Sequence, residues 1–279
     1  MRLLLAALLL AVGCAGGDRI VVGSKNFTEQ RILGELLAQT VESLGLPVER
    51  RLDLGGTFVC DAAIRAGQID MYVEYTGTAL TAILKEQPGG TPAEVLARVR
   101  AAYEPAGLVW TAPLGFDNTF ALVIRSEPGV RTISDIVPRA KSWRAGFGYE
   151  FMERADGYPG LARTYGLEFK ETRIMDLGLL YRALVEKKVD IVAGNATDGL
   201  IEHLKLTVLG DDRHYFPPYE AAPVVRRAIL AGHTELAAAL EQLAGKLQAE
   251  TMRRLNYAVD GKHRDPADVV QDFRAASDL

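Results

Sequence analysis

The chain has 279 residues, nearly half of them apolar, with 32 basic against 36 acidic side chains and a net charge of −4. That balance lacks the basic excess of a nucleic-acid binder, and the length allows two modest cores or one large one. The two cysteines and four histidines form no His-Glu-x-x-His or paired Cys/His spacing, so neither a metal site nor a cofactor is expected.

Arg2 precedes an unbroken apolar run, Leu3 to Val12. A bilayer span takes about 20 such residues, so the run suits a secretory signal peptide over residues 1–13. It closes on small residues before Cys14, which resembles a bacterial lipoprotein box. An acylated Cys14 opens the mature chain, with 14–18 as anchor and linker, on the periplasmic or outer face of the cytoplasmic membrane. Plain secretion with cleavage after Gly16 or Gly17 is the alternative. With Cys14 acylated, Cys60 has no cysteine to pair with, and the core alone must stabilise the exported domain.

Arg19 to Val22 reads as a buried strand and Gly23-Ser24-Lys25 as a turn. Asn26 and Glu29 have capping-box spacing ahead of a helix with Ile32, Leu33, Leu36, Leu37, Val41 and Leu44 on one face, ending at Gly45. Strands are expected at Val48 to Leu54, Ile69 to Glu74, Leu108 to Thr111 and Phe120 to Arg125. Helices are expected at Phe58 to Ala66 and Pro92 to Tyr103, the latter with proline in its first turn. The second half repeats the alternation. Strands fall at Arg144 to Phe147, Glu168 to Thr172 and Val189 to Ala193, and helices at Gly160 to Tyr165 and Gly178 to Glu186. The class is α/β with mainly parallel strands.

AIRAGQIDMYVEYT (Ala63–Thr76) and ALVEKKVDIVAGNA (Ala183–Ala196) lie 120 residues apart and share a helix end, a tight turn, an apolar-Asp start and a short strand. Such a repeat implies two similar lobes, each offering a strand exit, Tyr75 and Asn195, to one cleft. Asp70 and Asp190 start their strands, where aspartate commonly caps a turn, and neither is expected to touch a ligand.

VGSKNFTEQ (Val22–Gln30) and EYTGTAL (Glu74–Leu80) resemble two motifs of the osmoprotectant-binding proteins of ABC importers for betaine, choline and carnitine. GFDNTFAL (Gly115–Leu122), ATDG (Ala196–Gly199) and DDRHYFPPY (Asp211–Tyr219) resemble later ones, and the order holds to MRRLN (Met252–Asn256). The resemblance implies a bilobal periplasmic-binding-protein fold of type II. Lobe 1 is expected at 19–116 plus 216–279, lobe 2 at 117–215, and a hinge between them. It implies a monomer that captures a small solute and delivers it to a membrane permease.

A quaternary ammonium has no N–H and is held by the negative faces of aromatic rings, at about 0.5–2 kcal/mol per desolvated ring. By resemblance the cage positions are Tyr75, Phe120, Asn195 and Tyr219. Phe120 keeps a ring without the hydroxyl, and Asn195 has no ring. That departure implies weaker binding, a larger ligand, or a ligand that is not quaternary. The resemblance puts Lys25 and Thr78 near the ligand's carboxylate, Arg154 closing on it from the second lobe as a bidentate fork, and Asn118 beside the cation. Two cations at the carboxylate favour betaine over choline.

Capture rather than catalysis is expected. The rivals are an exported enzyme or a sensory module on the same two-lobe fold with a non-quaternary ligand. A Gly-x-Ser-x-Gly elbow is absent, and His214 reads as a surface or hinge residue.

Overall fold

The computed structural model describes residues 19–277 and 279. The signal peptide and Cys14 lie outside the described residues. Among the described residues ten strands form two sheets of five. The first contains β1 (Ile20–Lys25), β2 (Val48–Gly55), β3 (Met71–Tyr75), β4 (Leu108–Trp110) and β10 (Ala221–Arg226) in the order β2-β1-β3-β10-β4. The second contains β5 (Phe120–Arg125), β6 (Arg144–Phe147), β7 (Glu171–Ile174), β8 (Ile191–Asn195) and β9 (Leu206–Val208) in the order β7-β6-β8-β5-β9.

The two orders are the same pattern. In each sheet three consecutive strands run parallel, and a strand borrowed from the crossover between sheets runs against its neighbours: β10 in the first, β5 in the second. The strands are mainly parallel, as expected, with one antiparallel member in each sheet. The chain leaves the first sheet through residues 111–119 and returns through 209–220, and each crossing delivers a strand from the opposite direction.

Side chains alternate between two cores per sheet, as the period of two requires. In β3, Met71, Val73 and Tyr75 enter one core and Tyr72 the other; in β5, Leu122 and Ile124 oppose Ala121 and Val123. The helix Thr28–Ser43 buries Ile32, Leu33, Leu36, Leu37 and Val41 against the first sheet. The C-terminal helices Ala249–Asp260 and Pro266–Ser277 pack against that helix and share its core.

The internal repeat has a physical basis. The N–H of Asp70 donates to the carbonyl of Val21 at 2.7 Å, and Val21 N–H donates back to Asp70 Oδ2 at 2.8 Å. Asp190 does the same with Arg144, at 2.7 and 2.9 Å. Each aspartate also holds an arginine from the antiparallel strand, Arg226 on Asp70 and Arg125 on Asp190. Both residues are therefore strand anchors at the end remote from the cleft.

Several boundaries moved. The seventh strand begins at Glu171 rather than Glu168, and Leu177–Leu179 is a 3₁₀ turn ahead of a shorter helix, Leu180–Val185. Lys25 is the last residue of β1, not part of a turn. Cys60 is buried and unpaired among the described residues.

Candidate functional site

Strand exits of both sheets face a shared cleft of about 670 Å³. All eight residues expected at the site line it: Lys25, Tyr75, Thr78, Asn118, Phe120, Arg154, Asn195 and Tyr219. Lys25, Tyr75 and Asn195 end β1, β3 and β8, while Phe120 opens β5 opposite Asn195. Asn118 and Tyr219 come from the two crossovers, joined by a hydrogen bond from Asn118 N–H to the carbonyl of Tyr219 at 3.0 Å. Where Thr76–Thr78 approaches the returning chain there is no room for a side chain: a Cβ on Gly77 would stand 2.5 Å from the carbonyl of Pro218.

The rings are partly grouped. Phe120 meets Tyr219 edge to face at 5.9 Å between centroids, and Phe151 at 4.9 Å. Phe216 lies 6.1 Å away on the same ring. Phe151 and Phe216 escaped the motif comparison because neither occupies an expected cage position. Tyr75 and Tyr219 are both buried, and each hydroxyl is committed, to Glu29 Oε1 at 2.6 Å and to Asp156 Oδ2 at 2.7 Å respectively.

Both expected cations are already paired. Lys25, only 3% exposed, donates to Glu74 Oε1 at 2.5 Å and to Thr57 Oγ1 at 3.0 Å. Burial pushes the Glu74 carboxyl up despite Lys25. Arg154 turns its guanidinium onto Asp156 at 2.5 and 2.9 Å and reaches across to Thr78 Oγ1 at 3.2 Å. Burial works against the charge of Asp156, but Arg154 outweighs it and holds the carboxyl below the usual range.

The largest surprise is Glu29. It makes no capping box: Phe27 is the N-cap, and no side-chain hydrogen bond caps the helix. Its carboxylate instead accepts from Tyr75, Asn118, Thr197 and Asn256, joining segments from residues 29 to 256. Four donors outcompete a local cap. Even so, burial raises the Glu29 carboxyl to about 7, with the hydrogen bonds opposing that rise. Asp198 lies beneath Asn195, taking the N–H of Asn195 at 2.9 Å and the hydroxyl of Tyr181 at 2.5 Å, and burial raises it to about 6. The Asn26/Glu29 spacing is that of a capping box the helix does not form, and no local pattern sets Asp198 apart inside ATDG.

Charge around the cleft favours a cation. Glu29, Glu150, Asp176, Asp198 and Asp260 line it against Lys25, Arg31 and Arg154. At the mouth, Glu150 from the second-sheet side accepts from the N–H and hydroxyl of Thr57 at 2.5 and 3.0 Å, flanked by exposed Phe58, Val59, Tyr149 and Leu177. No group of three or more potential metal ligands occurs among the described residues.

Residues 18–276 match the family model described as the substrate binding domain of ABC-type glycine betaine transport systems. A carnitine transport binding protein of Listeria monocytogenes is 35% identical over 273 residues, covering 95% of this chain and 89% of that one. The ergothioneine transport permease/ergothioneine binding protein of Helicobacter pylori is 35% identical over 260 residues, covering 91% of this chain and 47% of that longer protein. A crystal structure of a glycine betaine/carnitine/choline ABC transporter protein aligns with a TM-score of 0.76 at 32% identity, covering 92% of this chain and 98% of that one. The bilobal type II fold follows from that alignment and the two-sheet topology.

Proposed function

Because the chain belongs to the family of substrate-binding domains of ABC-type glycine betaine transport systems, we propose that it captures a betaine-type solute in the cleft between its sheets. It is an extracytoplasmic solute-binding component of an ABC importer, working with a membrane permease. The methylated nitrogen sits against Tyr75, Tyr219 and Phe120, within an acidic surround. The carboxylate sits toward Lys25, Thr78 and Arg154, displacing part of the hydrogen bonding that now ties Arg154 to Asp156. We assign lobe 1 to 19–116 plus 216–279 and lobe 2 to 117–215, and a lipid anchor on Cys14 that holds a monomeric protein at the membrane.

The observation that carries this reading is the convergence of both crossovers and both sheets on one cleft, with Tyr219 in its wall held by a hydrogen bond to Asp156. Such a site gains binding energy only as the lobes exclude water, which strengthens ring and charge contacts together. Closure can follow solute only through a difference in affinity between open and closed forms. No feature of the cleft favours catalysis over capture.

Titration calorimetry of the purified protein with glycine betaine, carnitine, choline and unmethylated glycine tests the reading. Binding of a methylated solute with no heat from glycine is expected. Silence with every methylated solute in both calorimetry and thermal shift overturns the betaine assignment.

A further inference from the structure

We propose that Glu150 is a latch that holds the cleft shut on its solute: from the second-sheet side it caps the helix Thr57–Arg65 of the first, and the solute leaves only after that cap is released. The inference rests on the reading of the cleft as a capture site and adds the residue that sets how long the solute is held.

The helix Thr57–Arg65 starts without a side-chain cap of its own. Its N-cap is Gly56, which has no side chain to offer, although the first turn of a helix leaves backbone N–H groups in need of an acceptor. Glu150, 93 positions after Thr57, supplies it. Oε1 accepts from the N–H of Thr57 at 2.5 Å and Oε2 from its hydroxyl at 3.0 Å. A carboxylate is the favoured partner at that end of a helix, and hydrogen bonds to an ionised group are roughly twice as strong as neutral ones.

Gly56 is fitted to this contact and not to its own backbone. Its φ of −79° and ψ of −169° are extended backbone open to any residue. A Cβ there would overlap Glu150 Oε1 and stand 3.0 Å from Cδ, and its three nearest atoms all belong to Glu150. The absent side chain makes room for the carboxylate arriving from the other side.

The latch also touches both cations assigned to the solute's carboxylate. Thr57 Oγ1 donates to Glu150 while accepting from Lys25 Nζ at 3.0 Å, and Arg154 Nη1 stands 3.6 Å from Glu150 Oε2. A solute that orders Lys25 and Arg154 therefore steadies Glu150 as well. Thr57 is buried, but the Glu150 side chain keeps 30% of its surface at the mouth. Water can reach the carboxylate and undo the latch without opening either core.

Stopped-flow measurement of association and dissociation on the whole protein tests the latch, with glycine betaine, carnitine and choline as probes. Glu150→Ala removes it, and Gly56→Ala keeps Glu150 but bars it from Thr57. Each should speed dissociation of a bound probe roughly tenfold while association stays within about twofold of the parent. The double variant should be no worse than either single one, because both break the same contact. Glu150→Gln, whose amide oxygen can still accept from Thr57, should recover part of the loss. Faster dissociation in Glu150→Ala but not in Gly56→Ala would show that Glu150 acts on the solute itself and overturns the latch, as do losses that add in the double variant. Parent-like rates in both single variants overturn it while the capture reading stands. Failure of all three probes to bind the parent removes the capture reading and the latch together.

Discussion

Tyr219 and Asp156 meet beside the cleft, the phenol hydroxyl donating to Oδ2 at 2.7 Å, while Arg154 grips the same carboxylate oxygen at 2.5 Å. One oxygen thus orients both an aromatic face and a guanidinium. Ring and hydroxyl then have separable roles. Tyr219→Ala should weaken a methylated solute about tenfold. Tyr219→Phe keeps the face and loses only the tie, so its effect should be a few-fold; equal losses in calorimetry would show that the ring adds nothing.

Glu29 makes stability depend on pH. Its carboxyl is raised by burial from 4.5 to about 7 in the folded protein. The folded form therefore binds the proton more tightly than the unfolded one. Its contribution is full below the unfolded value and is lost as pH rises through about 7. Melting temperature compared between pH 5 and pH 8 should fall more steeply in the parent than in Glu29→Gln, by the equivalent of about 3 kcal/mol at most. Asp198, raised to about 6 by burial, acts in the same direction and leaves a residual slope in the variant. Parallel curves for the two proteins would refute the assignment to Glu29.

Lys25 and Glu74 form a buried pair at 2.5 Å, with side-chain exposures of 3% and 0%. Removing one partner strands a charge, so Lys25→Met should cost about 3–5 kcal/mol in denaturant titration. Adding Glu74→Gln should recover most of that stability. A double variant no more stable than the single one would mean that the lost lysine was needed for packing instead.

Asn195 tests the missing ring. Asn195→Tyr should improve glycine betaine binding several-fold by adding a face near the cation. It should weaken a bulkier betaine by filling the space toward Tyr181. Weaker binding of glycine betaine would show that the Asn195 amide itself contacts solute.

Asp70 and Asp190 hold strands, not solute. Asp70→Asn and Asp190→Asn should each lower stability by about 1–3 kcal/mol and leave affinity unchanged in calorimetry. A shift in affinity without a shift in melting temperature would contradict the anchoring role.

Much of this was legible in the chain. The helix Pro92–Tyr103 and the strands Phe120–Arg125 and Arg144–Phe147 fall where periodicity puts them, because local pattern and tertiary burial agree there. The strand Ala221–Arg226 was not read, since Pro223 argues against a central strand. It is accommodated because β4 stops at Trp110, opposite Val224, and Thr111 N–H continues the ladder to the carbonyl of Pro223. At the site, the motifs named eight residues that line one cleft. They did not reveal that Lys25 and Arg154 are neutralised by Glu74 and Asp156, or that Glu29 gathers four donors. Those links join residues as many as 227 positions apart, and no local pattern encodes them.

The carboxylate locks at the start of β3 and β8 bear on how such a protein can change. Each fixes its strand some five residues, about 17 Å, upstream of the exit that faces solute. Backbone position at Tyr75 and Asn195 is thereby set from a distance, independent of which side chain stands there. Mutation can exchange a ring for an amide at the exit while the strand keeps its place, so a lineage can drift from one solute to another without passing through an unfolded intermediate.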